Sequence, residues 1–212
     1  MEQYSVSLYK KAFYLSIFTI VYNIIEGLVS VTIGYSDETL ALFGFGVDSF
    51  IEVMSGIGIA VMIGRIRNNP SSEKTPFEIS ALKVTGTAFY ILAVGLVAGI
   101  VINIITRHKP ETTFWGVIIS VISIAVMYWL MNSKRSTGQK LDSQPIVSDS
   151  NCTKVCVYMS VVLLISSLIY ELTGFAYADA IGAAGLTWFS ISEGREAFEK
   201  AKGKECSCDH CA

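Results

Sequence analysis

Long apolar stretches, each broken by a few polar residues, alternate along this chain with short polar connections. Six stretches are long enough to cross a hydrocarbon core of about 30 Å, which takes about 20 helical residues. They fall at residues 12–34, 39–64, 77–105, 114–131, 145–172 and 176–192. The pattern predicts an all-α membrane protein of six transmembrane helices, with a polar segment at 1–11, a helical unit at 12–200 and a tail at 201–212. Tight turns are expected around Ser36 and Gly174, and polar loops at 68–72 and 132–143. A serine cap followed by an early proline, Ser143 and Pro145, marks the start of the fifth helix.

Composition agrees with the pattern. Of 212 residues, 52% are hydrophobic and only 16% charged, and the mean hydropathy is +0.52, too apolar for an ordinary soluble domain. The net charge of −2 gives no reason to expect a nucleic-acid partner; the lipid bilayer is the expected surrounding, the plasma or inner membrane first. Residues 1–11 are polar and lead into a run long enough to span, so no cleaved signal is expected. Of 16 Lys and Arg, only Arg107 and Lys109 fall on the side opposite the rest, which places both termini in the cytoplasm.

Against this apolar background, the second stretch carries Asp48 and Glu52, four residues apart and therefore on one helix face. An acid inside a span is costly enough to be read as functional by default. The fifth stretch carries Cys152 and Cys156 at the same spacing. Counting about 1.5 Å per residue, Glu52 lies about 18 Å from the end of its helix and Cys156 about 17 Å from the start of its own. Two helices of opposite direction would thus present paired ligands at one level. A short echo between the segments starting at Val47 and Asn151 suggests two three-helix halves, a known transporter plan.

Two carboxylates and two thiolates form a set suited to a tetrahedral divalent ion, and the thiolates favour Zn²⁺ or Cd²⁺ over Mg²⁺ or Ca²⁺. Protons compete for all four groups, as a metal/proton exchanger requires. The plainer alternatives are a structural role for the acids and simple burial for the cysteines. Glu26, in another apolar run, is a candidate second layer or part of an ion path. Asp179 is a candidate helix cap or exit-path residue, and Asp149 a further ion-path candidate. Cys206, Cys208, His210 and Cys211 form a possible second metal site in the tail, for capture or sensing rather than as a folded finger.

These residues give the chain a family resemblance. It resembles the transmembrane domain of the cation diffusion facilitators, or cation efflux family, whose second helix reads Ala-Leu-Leu-Ala-Asp-Ala-x-His-x-x-x-Asp. Ala41-Leu42-Phe43-Gly44-Phe45-Gly46-Val47-Asp48-Ser49-Phe50-Ile51-Glu52 follows that frame, with Asp48 in the histidine place, Glu52 in the aspartate place and Phe45 where the family has another aspartate. Ser143 to Cys156 resembles the approach to the fifth helix, with Cys152 and Cys156 in the ligand places; Tyr177-Ala178-Asp179-Ala180 resembles the Trp-x-Asp-Pro near the sixth. The resemblance is to a short branch lacking the cytoplasmic C-terminal domain. It implies a homodimeric metal/proton antiporter rather than an enzyme, with Zn²⁺ or a softer ion as cargo, protons as counter-ion and no permanent cofactor. A membrane sensor that binds without transport, and a thiol oxidoreductase, are the alternatives.

Overall fold

A computed structural model describes residues 2–68, 76–106, 110–175 and 177–203. Six helices follow one another: α1 (Glu2–Ser36), α2 (Leu40–Asn68), α3 (Pro76–Thr106), α4 (Phe114–Lys140), α5 (Gln144–Thr173) and α6 (Ala178–Ala201). All-α architecture and helix number agree with the sequence pattern, and the chain is a multi-pass integral membrane protein. Among the described residues, five helices are long and apolar enough to cross a membrane. The sixth has the length, 24 residues, but Asp179, Glu193, Arg195 and Glu196 interrupt its apolar run. Large apolar side chains such as Tyr14, Ile25, Ile91, Val94 and Leu172 face outward, as lipid contact requires.

α1 packs chiefly on α2, α4 on α5, and α3 on α6. The first two pairings are equivalent in the two halves of the chain, and the third helices of the halves meet each other. The α1–α2 crossing is close: a Cβ on Gly46 would lie 2.6 Å from the Val31 nitrogen and 2.8 Å from the Ser30 Cβ, so only glycine fits two residues before Asp48. The core of Leu42, Phe45, Phe89, Leu96, Met159, Leu163 and Leu186 joins α2, α3, α5 and α6.

The expected loop at 132–143 is corrected. α4 continues to Lys140, leaving only residues 141–143 as the turn into α5. The extension is amphipathic rather than apolar: Lys134, Thr137 and Gly138 are buried, and Lys134 finds a buried partner on α5. α5 starts where the Ser143/Pro145 pattern predicts, but the Ser143 hydroxyl makes no capping bond. Its carbonyl instead accepts the Ile146 and Val147 N–H groups at 3.2 and 3.1 Å. The turn after α5 uses Gly174 at φ 63°, whose N–H donates to the Tyr170 carbonyl at 2.7 Å, a left-handed cap that glycine adopts without penalty. α1 reaches back through most of the polar 1–11 segment. The expected loop residues 69–72, Arg107 and Lys109, and the tail residues Cys206, Cys208, His210 and Cys211, lie outside the described residues.

Candidate metal centre

On α2, Asp48 is 2% exposed, and its Oδ1 is buried without a hydrogen-bond partner. That is an expensive state for a carboxylate oxygen. One turn further, Glu52 has both oxygens engaged. Its Oε2 accepts from Asn23 Nδ2 at 2.8 Å, and its Oε1 accepts a short hydrogen bond from the Cys156 thiol. The two helices therefore meet side chain to side chain at the residues that helical depth alone had put level.

On α5, the turn below Cys156 presents Cys152, whose sulfur accepts from the Lys200 ammonium of α6 at 2.9 Å. Lys200 also pairs with Glu196 at 2.7 Å. Next along α5, Asp149 pairs with Lys134 of α4 at 3.1 Å, and Lys134 Nζ donates to the Thr153 hydroxyl at 3.1 Å. The side chains of that ion pair are only 4% and 9% exposed. A buried pair with an additional hydrogen bond is the arrangement in which attraction best offsets desolvation.

Between these helices lies a cavity of about 60 Å³, walled by Asn23, Glu52, Cys152, Cys156, Asp149, Lys134, Glu193, Glu196 and Lys200 among others. It has room for several waters. Three of the four expected ligands, Glu52, Cys152 and Cys156, stand on this wall. Asp48 is off it. Among the described residues, no three Cys, His, Asp or Glu side chains converge closely enough to hold a metal ion. The thiol hydrogen of Cys156 occupies one oxygen of Glu52, and the Lys200 ammonium occupies Cys152.

The ion-path candidates separate. Asp149 is on the wall but in its ion pair. Glu26 is off the wall, 7% exposed, and accepts from the Tyr22 hydroxyl at 2.8 Å and the Ser49 hydroxyl at 3.2 Å, bracing the residue next to Asp48. Asp179 lies at the opposite end of the bundle. Its Oδ2 accepts the Leu40 N–H at 2.9 Å and its Oδ1 the Ala41 N–H at 3.1 Å, so it caps α2. Of its two sequence readings, the cap is the one seen, on a helix other than its own.

Sequence reading missed Asn23, Lys134, Glu193, Glu196 and Lys200. The last three stand at i, i+3 and i+7 on α6, one helical face, beyond the apolar run that ended at Ser192. That spacing was the available signal. The lysines had been counted only as markers of orientation.

Residues 16–202 match the family model of the cation efflux transmembrane domain, a stretch that contains Asp48, Glu52, Cys152 and Cys156. The chain belongs to the cation efflux family. Proteins of this family are transporters, not enzymes. An uncharacterized transporter of Methanocaldococcus jannaschii is 28% identical over 170 residues, 78% of this chain and 59% of the relative. Transmembrane protein 163 of Xenopus laevis is 23% identical over 162 residues, 76% of this chain and 57% of the relative. The cation efflux domain described here thus spans somewhat under three fifths of either relative.

Proposed function

We propose that this cation efflux chain moves a divalent heavy-metal cation, Zn²⁺ or a comparably soft ion such as Cd²⁺, across the membrane in exchange for protons. Asp48, Glu52, Cys152 and Cys156 are the ligands in this reading. The observation that carries it is the Cys156 thiol donating to the Glu52 carboxylate between α2 and α5. A thiol must lose its hydrogen to bind a metal, and here that hydrogen sits between two proposed ligands. Metal entry expels it and proton return restores the bond seen. Thiol sulfur beside carboxylate oxygen supports zinc or cadmium over magnesium or calcium.

Full coordination requires Asp48 and Cys152 to turn in, with Cys152 leaving Lys200. The unpartnered Oδ1 of Asp48 supports this, because a buried carboxylate oxygen that lacks a donor gains by turning to a cation. Two ligands from each of two helices let a small tilt of α2 against α5 open the site to either side. Both termini in the cytoplasm, assembly as a homodimer and residence in the cell membrane complete the proposal; they rest on the placement of basic residues and on family resemblance.

Two free thiols, one bonded to Glu52 and the other to Lys200, give no support to a redox pair. The test is zinc and cadmium flux into vesicles reconstituted with the protein under a pH gradient, with Asp48→Ala, Glu52→Ala and Cys156→Ser as comparisons. All three variants are expected to lose flux while remaining folded. Unchanged flux in Asp48→Ala would remove it from the site. Metal binding without flux in the wild type would identify a sensor.

A further inference from the structure

Two lysines stand on the cavity wall, and they are held differently. Lys134 is fixed between Asp149 and Thr153 and is 4% exposed. Lys200 is in the last turn of α6, 17% exposed, with its ammonium 2.9 Å from the Cys152 sulfur and 2.7 Å from Glu196 Oε1. A lysine near a helix end has a flexible four-carbon stem that can carry its charge into the cavity or back to the polar rim. It occupies a thiol that the site needs for metal.

We propose that Lys200 is a tethered cation that fills the thiol side of the metal site while the site is empty, and that the arriving metal ion displaces it. The proposal rests on the metal-site reading above. With Lys134 already paired to Asp149, any charge on the cavity-wall acids Glu52, Glu193 and Glu196 that the returning protons leave unneutralised stays inside the cavity when no metal is bound. In a low-dielectric setting such charge resists any movement that takes it further from water. An ammonium inside the cavity offsets it, so that the empty and loaded forms carry similar charge.

Position adds to charge. α6 packs mainly on α3, whereas the proposed ligands are on α2 and α5. The Lys200–Cys152 bond is therefore a link from the α3–α6 pair to a ligand helix, made when the metal is out and broken when it is in. Such a link matters for the return of the empty transporter. It does not matter when metal travels both ways.

The experiment separates those two modes in proteoliposomes with radiolabelled Zn²⁺. Net flux under a pH gradient needs the empty protein to return; exchange of labelled for unlabelled zinc at equal concentrations does not. In Lys200→Met, net flux is expected to fall about tenfold or more, the worth of one charge-assisted hydrogen bond, while exchange continues. Lys200→Arg keeps the positive charge and should keep most of the net flux. Wild-type net flux in Lys200→Met, or exchange lost in parallel with it, overturns the proposal. Cys156→Ser keeps the readings apart. If it loses exchange while Lys200→Met behaves like wild type, only the tethered cation fails; if it exchanges zinc normally, the ligand assignment fails as well.

Discussion

At the end of the bundle where α2, α4 and α6 begin, Asp37 keeps one buried oxygen without a partner, but two acids serve helix starts. Asp179 gives one carboxylate oxygen to each of two backbone N–H groups at the start of α2. Glu171 of α5 accepts from the Thr112 hydroxyl at 2.7 Å and the Thr113 N–H at 2.5 Å at the start of α4. The two acids of the proposed site serve no helix start: Asp48 has an oxygen with no partner, and Glu52 is served by a neutral amide and a thiol. Burial does not separate the two groups, since Asp48 and Asp179 are both 2% exposed. Service at a helix start does. A helix N-terminus supplies free N–H groups and partial positive charge, so an acid there is at home even deep in a membrane protein. The expectation that a buried intramembrane acid is functional therefore needs a second question, whether it already serves a helix start.

An isosteric exchange at each place should separate the two kinds of acid most strongly. Glu52→Gln keeps shape and the Asn23 contact but removes the charge, and metal flux should fall roughly a hundredfold or more, the upper range for groups that hold a metal or orient its ligands. Asp179→Asn removes a charge that already has two donors, and flux per folded molecule should stay at the wild-type level. Both are read in the same vesicle assay, normalised to protein that elutes as a single folded species. Equal losses in the two variants would mean that service at a helix start does not distinguish functional from structural acids.

Stability should respond in the reverse order. Asp179→Ala leaves the Leu40 and Ala41 N–H groups without their carboxylate and should cost about 1–2 kcal/mol, the usual worth of a helix cap with part of its site buried. Asp179→Asn retains an acceptor and should cost only a few tenths of a kcal/mol. Reversible unfolding in mixed micelles measures both. A neutral Asp179→Ala would mean that α2 starts without its cap.

The paired acids, the paired cysteines and the six helices were legible because each shows in spacing along a single segment, and helical rise then put Glu52 level with Cys156. What escaped depends on partners far apart in the chain. Nothing near Asp179 indicates that it caps a helix starting 139 residues earlier, at Leu40. Lys134 looks like a cytoplasmic loop charge until Asp149 is seen beside it, which is why the end of α4 was misplaced. Glu193, Glu196 and Lys200 end an apolar run, and a count of hydropathy treats that as leaving the membrane. The same three residues, taken by helical spacing, form the polar face that closes the cavity. Asn23 gave only the hint of a second polar residue one turn from Glu26.

The smallest effect belongs to Glu171, and it tests whether the capping end is graded by exposure. Glu171 makes the same kinds of bond as Asp179 but stands exposed, where water and lipid headgroups can replace it at the Thr112 hydroxyl and the Thr113 N–H. Thr113 itself stays anchored through its hydroxyl to the Ser167 carbonyl at 2.9 Å, so α4 does not depend on Glu171 for its position. Glu171→Gln should therefore cost only about 0.3–1 kcal/mol, the range for an exposed charge at a helix terminus, and leave zinc flux intact. The loss should shrink further at high salt, which screens an exposed charge and barely touches a buried one. A salt-independent loss as large as that of Asp179→Ala would show that solvent does not replace Glu171, and that the two caps are equivalent despite their different exposure.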